Sequence, residues 1–253
     1  VTTSAAELFD LSGRVALVTG GSRGLGRQMA LAFARAGADL VIASRKLPAC
    51  QATAAEIVAL GRQALPVACH VGDWQQIEAL VEAAYERFGR VDVLVNNAGM
   101  SPLYPSLAEV SEALWDKVLG VNLKGPFRLS ALVGARMAAG QGGCIINVSS
   151  VAAVRPSPME APYAAAKAGL NALTIAFAQA FGPRVRVNAI MAGPFATDIA
   201  SAWDPALVAS FERTAALHRV GRPEEIVGTA LYLASAASSY TTGAIVRVDG
   251  GQP

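Results

Sequence analysis

Tyr163 and Lys167 stand four residues apart in the run Y-A-A-A-K, and Ser150 precedes the tyrosine by thirteen residues. Side chains at i and i+4 share one face of a helix, so the lysine ammonium can sit beside the phenol. A free tyrosine has a pKa of about 10 and is a poor base near neutrality. A cation about 5 Å away, at an effective dielectric near 20, favours phenolate by roughly 3 kcal/mol, or about two pKa units. A serine hydroxyl aimed at the same point can hold a carbonyl oxygen for protonation. The set reads as an acid–base centre that interconverts carbonyl and alcohol. Taken alone, Y-x-x-x-K is common, and the bland reading is two unrelated side chains on a helix. The elements that position it decide between the two.

Arg14 to Val18 reads as a buried strand, the run T-G-G-S-R-G-L-G follows at Thr19 to Gly26, and a helical pattern extends to Ala36. Strand, glycine turn and helix bring backbone N–H groups to a helix N-terminus, where they can cradle a pyrophosphate. Gly20 permits the tight turn, Gly24 lets a phosphate approach, and Gly26 lets helix pack on strand. Ser22, Arg23 and Leu25 complete the expected cofactor contacts of this turn. The spacing is G-x-x-x-G-x-G.

With both motifs in view, the chain resembles the classical short-chain dehydrogenase/reductase family over nearly its whole length. The other landmarks fall in the family's order: N-N-A-G at Asn96 to Gly99, Asn122 in G-V-N-L-K-G, G-P-F-A-T at Gly193 to Thr197, and D-G-G at Asp249 to Gly251. The resemblance implies a single-domain, Rossmann-like α/β fold over residues 1–253. It implies a catalytic set of Asn122, Ser150, Tyr163 and Lys167. Asn122 would hold a water linking to Lys167, and Lys167 would also bond the nicotinamide ribose. Asn96 to Gly99, with Asn97, Ala98 and Gly99 as the cofactor contacts, would line the adenosine side and steady the central strand; Gly193, Phe195 and Thr197 would meet the nicotinamide. Ser149 rivals Ser150 for the catalytic hydroxyl. Neighbouring residues of a strand face opposite sides, and the family spacing selects Ser150.

The same resemblance places the cofactor-selecting position at Ser44, followed by Arg45. An NAD-preferring site would carry an acid there to bond the ribose hydroxyls. Here the acid is missing, and Arg45, Arg23 and Lys46 offer positive charge to a 2′-phosphate. NADP(H) is therefore expected in preference to NAD(H). Two positions depart from the family's pattern. His70-Val71 stands where Asp or Asn precedes valine at the adenine, leaving that side-chain bond in doubt. Ala192-Gly193-Pro194 stands where Pro-Gly is usual.

Composition fits this reading without dictating it. A 253-residue chain with 53% hydrophobic and 16% charged residues suits a parallel sheet covered on both faces. A net charge of +2 without a basic cluster gives no case for nucleic acid. No apolar run is long enough to span a membrane, and the N-terminal residues lack the pattern of a signal peptide. Cys50, Cys69 and Cys144 read as buried thiols of a cytoplasmic protein, and with His70 and His218 they lack metal-ligand spacing.

Strands are expected near 15–18, 39–43, 64–68, 91–95, 143–148, 185–190 and 244–248, with helices near 25–36, 48–60, 73–88, 107–139, 162–181, 204–217 and 223–235. That alternation argues for a doubly wound sheet of seven parallel strands with ligands at its carboxyl edge. Substrate must then be held by loops. The expected lining is Ser101, Leu103, Tyr104, Ala152, Pro156, Met159, Glu160, Phe195 and Trp203, which suits a mostly apolar ketone or alcohol. Glu160 is the exception and, facing inward, would steer toward a polyol or an amine. A 3-oxoacyl-thioester reductase is the alternative, weakened by the uncharged stretch Met137 to Gly143 where a carrier-docking patch would be expected. A non-catalytic NADP-sensing regulator is disfavoured by the intact catalytic set. Residues 195–218 read as a substrate lid, and the apolar character of the helix bearing Tyr163 predicts a homotetramer.

Overall fold

The computed structural model describes residues 4–197 and 203–253. Seven strands form one parallel sheet: β1 (Val15–Thr19), β2 (Asp39–Ser44), β3 (Ala64–Ala68), β4 (Val93–Asn96), β5 (Gly143–Ser150), β6 (Val185–Ala192) and β7 (Ile245–Val248). Their spatial order is β3-β2-β1-β4-β5-β6-β7. The chain therefore runs outward from β1 to β3, then returns past β1 to begin β4. The reversal between β1 and β4 is the switch point at which doubly wound sheets bind ligands.

Both faces of the sheet are covered, which explains why β1 and β4 are unbroken runs of buried residues. Alternation divides the core in two. Ala16, Val18, Leu40, Ile42 and Ile146 point toward helices α2 (Gly24–Arg35) and α9 (Val227–Ala234), meeting Met29, Phe33 and Leu233. Leu17, Val41, Leu94 and Ile145 point the other way, toward α4 (Trp74–Phe88) and α6 (Gly125–Ala139), with Leu80, Leu129 and Val133. The remaining helices are a short α1 (Ala5–Leu8), α3 (Leu47–Ala59), α5 (Glu112–Leu119), α7 (Ala161–Phe181) and α8 (Pro205–Thr214).

The single helix expected over 107–139 is instead four pieces. A 3-10 turn at Leu107–Glu109 precedes α5, and a π-helical turn at Gly120–Lys124 separates α5 from α6. Hydrophobic periodicity is read over windows of about 11–18 residues, too coarse to locate a break of one short turn. The signal that could have done so is the pair of glycines flanking it. A Cβ on Gly125 would lie 2.0 Å from the Val71 carbonyl oxygen, so this stretch must pass the loop after β3 as bare backbone. Among the described residues, no helix is long and apolar enough to cross a membrane.

Candidate active site

The glycine turn is built from backbone. Gly20 and Gly24 take φ values of +63° and +53°, a region that favours glycine. A Cβ on Gly26 would lie 2.3 Å from the Gly20 carbonyl oxygen, so only a glycine lets α2 start this close to the turn. Arg23 caps α2 without a side-chain bond to it, which leaves the first N–H groups of the helix for a ligand. Thr197 faces Gly24 across the cradle, within 3.5 Å of where a Cβ would stand. A dinucleotide pyrophosphate fits this arrangement of open N–H groups and absent side chains. Leu25 packs against the core behind it.

Side chains from neighbouring strands fix the turn. The Thr19 hydroxyl donates to the Val95 carbonyl (3.1 Å) and accepts from the N–H groups of Asn97 and Ala98 (3.1 and 3.2 Å). Asn97 Nδ2 donates to the Thr19 and Gly20 carbonyls at 2.9 and 3.3 Å, so its amide holds the turn itself. Asn96 lies deeper, donating to Ser130 Oγ and Asn147 Oδ1. Ser22 Oγ donates to Ser44 Oγ at 2.9 Å, tying the turn to the end of β2. Arg23, Arg45 and Lys46 are exposed beside that junction. His70 turns into its own loop, where Nδ1 accepts from the Gly72 N–H at 3.1 Å, and Val71 is buried. Gly193 packs on Asp249, with a would-be Cβ 2.6 Å from its Cα; this is the place of the D-G-G landmark in the fold.

Beyond the cradle, β5, the π turn and α7 bring the acid–base set together. Ser149 is buried, and its hydroxyl faces the Lys167 carbonyl at 3.5 Å. The next residue, Ser150, points the opposite way, on the side of Tyr163, and its Oγ accepts from the Ala152 N–H at 3.2 Å. Lys167 is only 3% exposed; its Nζ donates to the Val148 carbonyl at 2.7 Å and lies 5.5 Å from the centre of the Tyr163 ring. Asn122 sits in the π turn. Its Nδ2 donates to the carbonyls of Met100 (2.8 Å) and Val118 (2.9 Å), and its Oδ1 accepts from the Met100 N–H (3.2 Å). An uninterrupted α-helix would leave that Val118 carbonyl to the backbone N–H of Asn122. Gly99 marks where these groups converge: a Cβ there would be 2.9 Å from Asn122 Oδ1 and 3.7 Å from Lys167 Nζ.

Electrostatics correct one expectation. The lysine does not bring the tyrosine down. Burial pushes the Tyr163 phenol up to about 12, the nearby Ser150 hydroxyl opposes this, and the Glu160 charge adds to it. Burial likewise lowers Lys167 to about 8. Desolvation of both groups outweighs an attraction whose donor is aimed at a carbonyl and the ring face, not at the phenol oxygen. Tyr163 thus stands as a protonated acid. The Cys69 and Cys144 thiols are raised to about 11, mainly by burial, and take no part.

Next to Tyr163 is a narrow, shallow recess, lined by Ser101, Tyr104, Leu114, Val118 and Glu160 with Pro102 and Pro162. Nothing in the sequence marks the Tyr104 hydroxyl, yet it fixes the recess. It donates to the Pro158 carbonyl at 2.5 Å and accepts from the Ala161 N–H at 2.8 Å, joining the loop after β4 to the start of α7. Other expected lining residues are elsewhere. Phe195 is buried in the core at 6% exposure, whereas Leu103 (81% exposed) and Met159 lie open to solvent. Trp203 packs edge-on against Phe211. Residues 198–202 of the expected lid lie outside the described residues. The C-terminal segment pins α8: Gln252 Nε2 donates to the Phe211 carbonyl, and Gln252 Oε1 accepts from the Thr214 hydroxyl.

Comparison with known proteins agrees with the geometry. The family described as Enoyl-(Acyl carrier protein) reductase matches residues 20–252. A short chain dehydrogenase/reductase of Aspergillus oryzae, astE, is 40% identical over 96% of each chain. A 3-oxoacyl-[acyl-carrier-protein] reductase of Thermotoga maritima is 36% identical over 95% of this chain and 98% of its own. Among solved structures, the NADPH-dependent 3-quinuclidinone reductase of Rhodotorula rubra superimposes with a TM-score of 0.94 at 29% identity, covering all of this chain and 96% of that one.

Proposed function

The chain belongs to the classical short-chain dehydrogenase/reductase family, and from that premise we propose that it is an NADP(H)-dependent carbonyl reductase and alcohol dehydrogenase. It interconverts a ketone or aldehyde and the corresponding alcohol. What supports the reading is the meeting of Ser150, Tyr163, Lys167 and Asn122 beside the recess. The nicotinamide, when bound, supplies or takes up the hydride. Ser150 donates a hydrogen bond to the carbonyl oxygen, and Tyr163 passes its phenolic proton to the same oxygen. Such proton transfer is worth roughly two to four orders of magnitude. The Lys167 ammonium bonds the nicotinamide ribose, and Asn122 fixes the loop that carries Gly99 against it. Arg45 and Arg23 select the 2′-phosphate.

The test follows nicotinamide absorbance against a panel of ketones and alcohols with each cofactor. NADPH should exceed NADH in kcat/KM by roughly ten- to hundredfold, the worth of one charge-assisted contact, and Arg45→Ala should erase most of that margin. Equal use of both cofactors overturns the NADP(H) assignment; no turnover in either direction overturns the enzyme assignment.

The Thermotoga relative favours a second reading, a 3-oxoacyl-thioester reductase, for which kcat/KM on 3-oxoacyl thioesters would far exceed that on simple ketones. The protein is further read as a cytoplasmic homotetramer. Trp115 on α5, Phe127 on α6 and Ile175 on α7 leave apolar surface exposed on adjacent helices, which a second copy would cover. A monomer in light scattering at micromolar concentration would contradict this.

A further inference from the structure

Glu160 gives the recess a charge that the proton transfer does not use. It stands three residues before Tyr163, at the entry to α7, and lines the recess with that tyrosine. Its carboxyl is partly buried, and burial is the only influence on its pKa, which is raised. Among the described residues, no donor or cation meets it. A carboxylate taken partly out of water without a partner is unfavourable, and a cation entering the recess would restore what burial removed.

The rest of the lining selects among cations and polyols. The Tyr104 hydroxyl is already used twice, once as donor and once as acceptor. Pro102, Leu114, Val118 and Pro162 offer only carbon. A polyol needs several donors and acceptors, whereas this wall supplies Ser101, one carboxylate and the reacting groups. An ammonium on an apolar skeleton needs one negative charge and an apolar surround. We infer that the substrate class is ketones bearing a positively charged amine, and the matching amino alcohols, with Glu160 holding the ammonium while the carbonyl faces Ser150 and Tyr163. This rests on the carbonyl reductase reading given above.

Two ketones of the same shape separate the possibilities. The 1,1-dimethyl-4-oxopiperidinium ion and 4,4-dimethylcyclohexanone differ in having N⁺ or carbon at one ring position, and the charge of the former does not titrate. The wild type should prefer the cation in kcat/KM by tenfold or more. In Glu160→Gln the cation-to-neutral ratio should fall by roughly ten- to hundredfold, the scale of a lost charged contact. Glu160→Lys, a second variant, should reverse the preference, and NADPH titration of each variant reports whether its cradle is intact. A ratio that neither substitution moves overturns the inference, as does wild-type preference for the neutral ketone. Turnover of other ketones but not of the cation overturns the inference alone. Failure across the whole ketone and alcohol panel overturns the reductase reading, and the inference falls with it.

Discussion

On the side of the sheet's carboxyl edge proposed for the cofactor, the glycine turn presents backbone. Gly20, Gly24 and Gly26 shape the cradle by lacking side chains, and Thr19 and Asn97 spend their polar atoms on holding it. On the side proposed for substrate, the surface is made by side chains carried on loops: Ser101 and Tyr104 after β4, Glu160 before α7. Tyr163 and Lys167 lie between, on the first turns of α7. The difference is one of tolerance. A backbone cradle fails when any atom is added. A side-chain wall can exchange one group for another and change what it accepts, provided its loops stay joined. Four substitutions or titrations would break or sharpen that contrast.

Tyr163→Phe should have the largest effect. Removing the proton donor lowers kcat by roughly two to four orders of magnitude, while cofactor affinity, measured by fluorescence titration, stays near the wild-type value. Retention of more than about a tenth of the activity would mean that another acid does the work. Gly26→Ala should come next. The added methyl would sit 2.3 Å from the Gly20 carbonyl, so turn and helix must separate. NADPH affinity should fall roughly hundredfold, the equivalent of about 3 kcal/mol of displaced backbone. An unchanged dissociation constant would remove the case for a rigid cradle.

The pH dependence tests the junction between the two regions. Lys167 has its pKa lowered to about 8, so its ammonium is lost above that pH. The kcat/KM for ketone reduction should then fall by up to tenfold per unit on the alkaline side, with the break absent in Lys167→Met. Alcohol oxidation, which needs the tyrosine as base, should rise up to about pH 8 and level off above it, because the loss of the Lys167 charge then offsets the gain from Tyr163, which titrates only at about 12. The stability effect of the lysine has a defined sign. Its unfolded pKa is about 10.4, so between about 8 and that value the unfolded chain binds more protons than the folded one. This group's contribution to stability therefore rises with pH across that window and is lost as pH falls through it. A profile with no break near 8 contradicts the assignment of Lys167.

Tyr104→Phe should have the smallest effect. It leaves the Pro158 carbonyl and the Ala161 N–H without their partner, which costs about 1–3 kcal/mol when such groups cannot reach water. Thermal unfolding should shift down by a few degrees and KM should rise severalfold, with cofactor affinity unchanged. A matching loss of cofactor affinity would show that the recess and the cradle are one unit.

The same contrast explains what the sequence reveals. Glycine requirements, the strand alternation that separates Ser149 from Ser150, and the i,i+4 pair on α7 are local constraints. They put the seven strands, most of their helices and the meeting of Ser150, Tyr163 and Lys167 within reach of reading. The π turn around Asn122 was hidden because it is shorter than the stretch of about 11–18 residues over which apolar periodicity is read. The protonated state of Tyr163 was hidden because desolvation depends on what covers the phenol, and no spacing reports that. Phe195 was read as lining because it neighbours Thr197 in sequence, yet its ring enters the core beside Gly221. Loop residues are adjacent in sequence without sharing a face, so the substrate wall became legible only in three dimensions.

The most direct test of the central claim is isotopic. A ketone that the panel shows to be turned over is reduced with NADPH deuterated at the transferring position of nicotinamide C4, and the alcohol is analysed by mass and by NMR. The account predicts one deuterium at the carbinol carbon, none at that carbon from deuterated water, and labelled alcohol formed by Tyr163→Phe roughly a hundredfold or more slower. Deuterium reaching that carbon from solvent, or alcohol formed at the wild-type rate by Tyr163→Phe, would contradict it.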